Sequence, residues 1–491
     1  MQSRRTFLQQ SFALATTAYA AAARAQAPKK PNILFLFADD HSYEAVRALG
    51  CQDIHTPNLD RLVESGTTFT NAYNMGAWNG AICIASRTML LTGHSVWNAK
   101  RAEDNKNKPG GLPDLVKRRQ LWPQLMEDAG YATYMTGKWH VKTDAAGVFN
   151  EVRDVRGGMP NQVNAGYKRP KDHDDYNRED AWKPWDPQHG GYWKGGKHWS
   201  EVVGDHAVDF INKAANEDKP FFLYAAFNAP HDPRQSPKAF VDMYPLDKIN
   251  LPENFQSTYP YAVEMGCNPD SQRDEKLAPN PRTAYAVKVN RQEYYAIVTH
   301  MDQQVGRILE ALEASGQADN TYIIYTADHG LSVGHHGLIG KQTMYEHSLR
   351  APLMINGPGV PKNEKIPTDV YIQDVMATAL DLGGAKKPEA LFYNSLVPML
   401  KGEKKNPYPQ IYGAYMDKQR AVRANGFKLI AYPEAQVIRL YNLEKDPQEM
   451  NDLAGNPEYA SLKKQLFKKL LQLQKQMGDD LDLTEVYPDL T

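Results

Sequence analysis

Four short runs of the chain are apolar at nearly every position and end at polar or charged residues. Such runs are typical of strands that are buried on both faces of a sheet. They cover residues 32–38, 131–135, 221–227 and 322–327. Stretches of helical character lie between them, for example residues 292–315. This alternation predicts an α/β fold in which helices cover both faces of a large, mostly parallel sheet.

The residues that could carry out chemistry follow these predicted strands. They are Asp39, Asp40, Lys138, His140, His231, Asp328 and His329. Ligands of open α/β sheets bind outside the carboxyl ends of the strands, so we expect these side chains to meet in one cleft. An Asp-Asp pair alone is more often a helix cap or a solvated turn. Three strand-end carboxylates together indicate a divalent cation; calcium is favoured, and magnesium is the near alternative.

A further motif is the run from Cys83 to Gly93, with the sequence CIASRTMLLTG. Cys83 and Arg87 stand four residues apart, so they share one face if the run is helical. The preceding Asn79-Gly80 places Cys83 in the first helical turn, where backbone N–H groups favour anions. A lone Cys-x-x-x-Arg would more often contain an ordinary buried cysteine. The strand-end residues favour a catalytic cysteine instead.

Taken together, these motifs resemble the type I sulfatases, whose nucleophile is a cysteine oxidised to formylglycine (3-oxoalanine). The run at Cys83 matches their signature, with Ala85 where the commonest form has proline. The other matching segments are Asp39-Asp40, Gly137-Lys138-Trp139-His140, Pro230-His231, Asp328-His329 and Gly340-Lys341. His329 stands where many relatives have asparagine, but iduronate-sulfatase-like members have histidine at this position. The resemblance extends over about residues 31–453 and implies the alkaline-phosphatase-like fold.

The resemblance implies a role for each matched residue. The residues implied to bind one cation are Asp39, Asp40, Cys83, Asp328 and His329. Arg87, Lys138 and Lys341 would hold the sulfate group. His231 would protonate the departing alcohol, and His140 would take a proton from the hydrated aldehyde at residue 83. The implied protein is a sulfuric ester hydrolase that is matured in the cytoplasm by a sulfatase-maturing enzyme.

The first 25 residues contain Arg4-Arg5, an alanine-rich apolar stretch and the triplet Ala23-Arg24-Ala25. This pattern resembles a twin-arginine export signal with an Ala-x-Ala cleavage site. The apolar part is too short to span a bilayer. We therefore expect export by the twin-arginine machinery to the periplasm or beyond, with no transmembrane segment in the mature protein.

Length and composition are those of a globular enzyme. The chain has 491 residues, 42% of them hydrophobic, and a formal net charge of −1, so no nucleic-acid partner is expected. We predict a catalytic domain over residues 28–385 and a C-terminal α+β subdomain over residues 386–491. Short alternating runs at 410–415 and 419–432 predict a small antiparallel sheet, and residues 457–477 predict an amphipathic helix that closes it.

Two features leave alternatives open. Four of the eight tryptophans fall close together, at Trp182, Trp185, Trp193 and Trp199. They could stack on sugar rings, or they could anchor a long loop to the sheet. Cys51 and Cys267 could form a disulfide in an oxidising compartment, or they could be two buried thiols.

The predicted function is the hydrolysis of sulfate monoesters on carbohydrates, such as polysaccharide or glycosaminoglycan fragments. A small-molecule sulfatase of the arylsulfatase or choline-sulfatase type stays open. Relatives on the same fold also make a phosphodiester or phosphonate monoester hydrolase possible. A carbohydrate-binding pseudoenzyme, in which Ala85 prevents maturation, is a further alternative. His41, His335 and His336 are predicted to lie outside the catalytic set.

Overall fold

The computed structural model describes residues 29–158, 164–167, 169–179, 181–403 and 406–491. The predicted export signal at residues 1–25 lies outside this range. In the described part of the chain, every helix is too short or too polar to cross a membrane.

The strands form one large sheet, one C-terminal sheet and a small hairpin. In chain order they are β1 (Asn32–Asp39), β2 (Thr67–Tyr73), β3 (Gly76–Ala77), β4 (Ala132–Lys138), β5 (Glu151–Arg156), β6 (Trp193–Lys194), β7 (Lys197–His198), β8 (Phe221–Pro230), β9 (Thr321–Ala327), β10 (Arg350–Ala351), β11 (Leu353–Asn356), β12 (Glu364–Tyr371), β13 (Ile411–Tyr415), β14 (Gln419–Ala424), β15 (Phe427–Tyr432) and β16 (Val437–Asn442).

The large sheet has the strand order β10-β2-β11-β9-β1-β8-β4-β5, and β12 pairs with β2. The four strands predicted from the apolar runs are β1, β4, β8 and β9, and they lie in the middle of it. β1 pairs in parallel with β8 and β9, and β8 pairs in parallel with β4. β11 is antiparallel to β9 and to β2. The predicted mostly parallel sheet is therefore confirmed, with antiparallel strands on one side.

Helices pack around the sheet. The α-helices are α1 (Pro57–Ser65), α2 (Ile82–Thr92), α3 (Val96–Asp104), α4 (Leu112–Lys117), α5 (Trp122–Asp128), α6 (His173–Tyr176), α7 (Trp199–Ala214), α8 (Lys238–Asp242), α9 (Ala284–Ala314), α10 (Glu346–Leu349), α11 (Asp374–Leu382), α12 (Val397–Leu400) and α13 (Ala460–Met477). The helix predicted from residue 292 begins eight residues earlier, because Thr283 caps it by accepting a hydrogen bond from the backbone N–H of Ala286 (3.1 Å).

The C-terminal sheet has the order β16-β15-β14-β13-β3, and it is antiparallel from β13 to β16. The single run predicted over 419–432 is two strands, because Asn425 and Gly426 form a turn with positive φ angles of 52° and 75°. α13 packs its apolar face against this sheet, as the sequence pattern predicts. β3 belongs to the catalytic part of the chain and pairs with β13, so it joins the two sheets directly before α2.

Candidate active site

Cys83 is the second residue of α2 and is buried. The backbone N–H groups of the first turn of α2 favour an anion at this position. Burial opposes ionisation of the thiol, but Lys138 and Lys341 hold the pKa of Cys83 well below its usual range. The Sγ atom lies 3.5 Å from Lys341 Nζ and 3.6 Å from His329 Nε2.

Asp39 is the last residue of β1, and Asp40 follows it close to Cys83. Asp40 Oδ1 is 3.9 Å from Cys83 Sγ, and the backbone N–H of Asp40 donates to Asp328 Oδ1 (3.0 Å). Asp40 has a φ angle of 68°, in the left-handed region that non-glycine residues rarely adopt. The hydrogen bond from Asp40 to the end of β9 helps to hold this conformation.

Asp328 and His329 follow β9. Asp328 adds a third carboxylate to those of Asp39 and Asp40. Burial and the neighbouring Asp39 raise the pKa of Asp328 to about 7. His329 Nδ1 donates to the carbonyl of Gly330 (2.8 Å), which leaves Nε2 facing the carboxylates, 3.3 Å from Asp40 Oδ1.

This cluster fits a divalent cation. Asp39, Cys83, Asp328 and His329 each offer one ligand atom, and these atoms lie within 4.8 Å of one another. Asp39 Oδ1 is buried and has no hydrogen-bond partner among the described residues. A cation there would bind this oxygen and offset the repulsion that raises the pKa of Asp328. The carbonyl that fixes the His329 ring is the kind of second contact that metal-binding histidines make.

Three cations lie around the same cluster. Lys341 Nζ is 2.8 Å from both carboxylate oxygens of Asp40. Lys138 at the end of β4 forms an ion pair with Asp39. Arg87 on α2 donates through Nε to Asp328 Oδ2 (3.2 Å), while its buried Nη2 has no hydrogen-bond partner in the described chain.

His140 lies close to Cys83 just after β4. Burial lowers its pKa, and its Nδ1 has no hydrogen-bond partner among the described residues. The preceding Gly137 has a φ of 94°, and a Cβ atom there would lie 1.9 Å from the carbonyl oxygen of Ala226. The pairing of β4 with β5 changes register between Thr136 and Gly137, and only glycine fits at position 137. This change of register directs Lys138 and His140 into the site.

His231 follows β8 and faces Lys341. Its Nε2 is 2.8 Å from Lys341 Nζ, and its Nδ1 is 2.9 Å from the carbonyl oxygen and 2.7 Å from Oδ1 of Asp232. Burial opposes the charged imidazole, but Asp40 and Asp232 raise the pKa of His231 to about 10. The two carboxylates therefore favour the protonated imidazole.

The structure thus brings together every residue that the sequence pattern selected for the site. It also adds three residues that the pattern did not reveal, Asp232, Arg273 and Asp274. Arg273 Nη2 lies 3.3 Å from Asp232 Oδ1 and 2.5 Å from Asp274 Oδ1. Asp232 adjoins a selected histidine, whereas Arg273 and Asp274 lie in an insert of ordinary composition.

The tryptophans at 182 and 199 anchor the chain. Trp182 is buried, and its Nε1 donates to Glu293 Oε1 on α9 (3.1 Å). Trp199 is buried at the start of α7, with the guanidinium of Arg156 3.2 Å above its ring. These contacts favour the anchoring alternative for both residues.

Cys51 and Cys267 are both free thiols, so the disulfide alternative is not formed. Cys51 is half-buried and donates to the Tyr295 hydroxyl (3.7 Å). Cys267 is buried and donates to the carbonyl of Gln342 (3.1 Å).

Comparisons with known proteins agree with this geometry. The family model described as Sulfatase matches residues 31–385. A second model, the C-terminal region of N-sulphoglucosamine sulphohydrolase, matches residues 334–476. The chain is 28% identical to an N-acetylglucosamine-6-O-sulfatase of Bacteroides thetaiotaomicron, over 92% of this chain and 88% of that protein.

Two solved structures share the fold. One is of a protein in complex with its substrate D-glucosamine-2-N,6-O-disulfate; its TM-score is 0.69 at 24% identity, over 92% of this chain and 99% of that one. The other is a phosphonate monoester hydrolase from Silicibacter pomeroyi, with a TM-score of 0.72 at 20% identity, over 92% of this chain and 96% of that one. The match of the Sulfatase model over residues 31–385 shows the family that the Cys83 motif indicated: this chain belongs to the sulfatases, the enzymes that hydrolyse sulfate esters.

Proposed function

We propose that this protein is an exported, calcium-dependent sulfatase that removes sulfate from carbohydrates and uses Cys83 after its maturation to formylglycine. The observation that carries this proposal is the position of Cys83. It lies at the N-terminus of α2, 3.5 Å from Lys341 Nζ and 3.6 Å from His329 Nε2, beside three carboxylates. A nucleophile at this position is surrounded by the charges that a sulfate ester requires.

Sulfate esters resist attack because their anionic oxygens repel nucleophiles, so the site must supply positive charge. Lys138, Lys341 and Arg87 would bind the sulfate oxygens. The buried Nη2 of Arg87 has no hydrogen-bond partner among the described residues and would donate to one of them. Holding the sulfate against these groups would orient sulfur towards residue 83.

The cation would be held by Asp39, Asp40, Asp328 and His329, together with residue 83. When bound, it would supply charge to the sulfate and favour ionisation of the nucleophile. The oxygen-rich donor set favours calcium, and magnesium is the alternative. The formylglycine hydrate would provide two hydroxyls on one carbon, one to attack sulfur and one that allows sulfate to be expelled.

Two histidines would move the protons. His231 has a pKa of about 10, so it carries the proton that the departing alcohol oxygen needs, and Lys341 lies beside it. His140 is held neutral by burial, which lowers its pKa, so it can accept the proton that residue 83 must lose when sulfate leaves.

Carbohydrates are the proposed substrates because two of the similar proteins are named for sulfated sugars. One is described as an N-acetylglucosamine-6-O-sulfatase, and another binds a disulfated glucosamine as its substrate. Residues 1–25 support export through the twin-arginine machinery, after maturation in the cytoplasm, to the periplasm or beyond.

A sulfate-release assay tests the proposal. Protein made with a sulfatase-maturing enzyme would be given sulfated mono- and oligosaccharides, an aryl sulfate and a phosphonate monoester. We expect release from sulfated sugars, and none from a Cys83→Ala control made in parallel. The phosphonate monoester hydrolase neighbour supports a second candidate. Faster hydrolysis of the phosphonate ester than of every sulfate ester would replace our proposal with that one.

A further inference from the structure

Arg273 lies beside His231, the proposed proton donor. Its Nη2 is 3.5 Å from His231 Nε2, and 39% of its side chain is exposed. Cys83, His231 and Lys341 are at most 2% exposed. Arg273 is therefore a cation that both contacts the buried catalytic groups and is accessible to a bound molecule.

The guanidinium of Arg273 is held in place on one side only. Nε donates to Asp274 Oδ1 (2.7 Å), and Nη2 lies 2.5 Å from the same oxygen and 3.3 Å from Asp232 Oδ1. Within the part of the chain that the structure describes, Nη1 has no hydrogen-bond acceptor. Two carboxylates thus fix the orientation of the group while the two N–H donors of Nη1 stay available.

The distance to His231 shows which part of a substrate would meet these donors. A general acid lies within about 3 Å of the oxygen that it protonates, so the Arg273 Nη2 atom would be within about 7 Å of the departing alcohol oxygen. On a sugar, this range covers substituents on the ring that carries the sulfate. The forked guanidinium matches a carboxylate or a sulfate, which it can bind through two hydrogen bonds.

The other cations of the site differ from Arg273 in burial. Arg87, Lys138 and Lys341 are at most 2% exposed, and the proposed function already assigns them to the scissile sulfate. We propose that Arg273 forms a second anion subsite that binds a carboxylate or an additional sulfate on the same sugar as the scissile sulfate ester. This inference rests on the proposed function and narrows the substrate class to sugars with two anionic groups.

The test measures substrate discrimination in Arg273→Gln and Arg273→Lys. Lys276→Gln is the matched control, because Lys276 is an exposed cation in the short 3-10 helix that directly follows Arg273. Four substrates would be compared: a monosulfated sugar, the same sugar with a second sulfate, a sulfated uronic acid, and an aryl sulfate. The second and third separate the two sources of the anionic group.

We expect Arg273→Gln to lower kcat/KM about 10- to 100-fold for at least one doubly anionic sugar, chiefly through a higher KM. The monosulfated sugar and the aryl sulfate should lose less than about threefold. Arg273→Lys should retain part of the preference, since it keeps the charge without the fork. Lys276→Gln should leave all four rates unchanged.

Two results would overturn the subsite. Equal losses on all four substrates would mean that Arg273 acts only by holding Asp232 beside His231. Unchanged rates for the doubly anionic sugars in Arg273→Gln would mean that no anion is bound there. Failure of the proposed function would be distinct, because the wild-type protein would then release sulfate from none of the four substrates.

Discussion

Two groups of buried histidines have different surroundings. His231 and His329 lie in the active site. His335, His336 and His347 form a second group, a histidine stack with Tyr345. In the stack, the ring centroids of His336 and Tyr345 are 4.1 Å apart, and the ring centroids of His335 and His347 are 5.1 Å apart. All five histidines are less than 9% exposed.

Burial lowers the pKa of a histidine in both regions, so the neighbours decide the outcome. In the active site, Asp40 and Asp232 raise the pKa of His231 to about 10, and Asp328 and Asp40 raise that of His329 to about 9. In the stack, burial and His335 lower the pKa of His336 to about 3, and burial with the same neighbour holds the pKa of His347 well below its usual range. His231 and His329 face carboxylates, whereas His336 and His347 face other histidines and an aromatic ring, and this difference sets the direction of each pKa shift.

The largest effect is expected at Cys83, the proposed nucleophile. Cys83→Ala removes the nucleophile, so kcat should fall by at least about ten-thousand-fold. Sulfate release measures the loss, and a thermal melt checks that the buried site still folds. An alanine variant with more than a few per cent of wild-type activity would show that another group attacks sulfur.

The next effect separates the two histidine groups directly. His231→Gln should lower kcat on sugar sulfates about 100- to 1000-fold, because the departing alkoxide is left without its proton. Aryl sulfates with good leaving groups should lose far less. A series of aryl sulfates with different leaving-group pKa values measures this. The same loss across the whole series would contradict the role of His231 as proton donor.

His347→Gln is the matched change in the stack. His347 Nε2 is 3.0 Å from Ser332 Oγ, so the variant should lose about 1–3 kcal/mol of unfolding free energy. The kcat/KM of the folded fraction should change less than about threefold. Urea unfolding and initial rates give the two numbers. A stable His347→Gln protein with a hundredfold lower kcat would place the stack in the catalytic machinery.

The smallest effect is in the pH dependence of stability. His336 has a pKa of about 3 in the folded protein and about 6.5 when unfolded, so the unfolded chain binds the extra proton between these values. Stability from this group is therefore complete above pH 6.5 and is lost as the pH falls. His336→Asn tolerates the residue's φ of 54°. From pH 8 to pH 5, the unfolding free energy of His336→Asn should fall by about 1–2 kcal/mol less than that of the wild type. Parallel pH profiles of unfolding free energy would contradict this.

Much of the site was predictable because its residues follow strands whose pattern is local. β1, β4, β8 and β9 are continuous apolar runs, and parallel pairing brings their carboxyl ends to one edge. The sequence pattern therefore predicts that Asp39, Lys138, His231 and Asp328 lie close together. The mostly parallel sheet and the small C-terminal sheet followed from the same kind of pattern.

What the sequence did not reveal depends on contacts between distant segments. Arg273 lies in an irregular insert and meets Asp232 across 41 positions, which no periodicity encodes. The sequence also does not predict the histidine stack, because a His-His pair at 335–336 does not show which distant residues its rings contact. Here the tertiary surroundings decide the chemistry.

The most direct test of the account is peptide mass spectrometry across Cys83, on protein produced with a sulfatase-maturing enzyme. Conversion of the thiol to the aldehyde would lower the peptide mass by about 18 Da. We predict this loss, together with sulfate release in proportion to the converted fraction. Full sulfatase activity from protein with an intact Cys83 thiol would contradict the account.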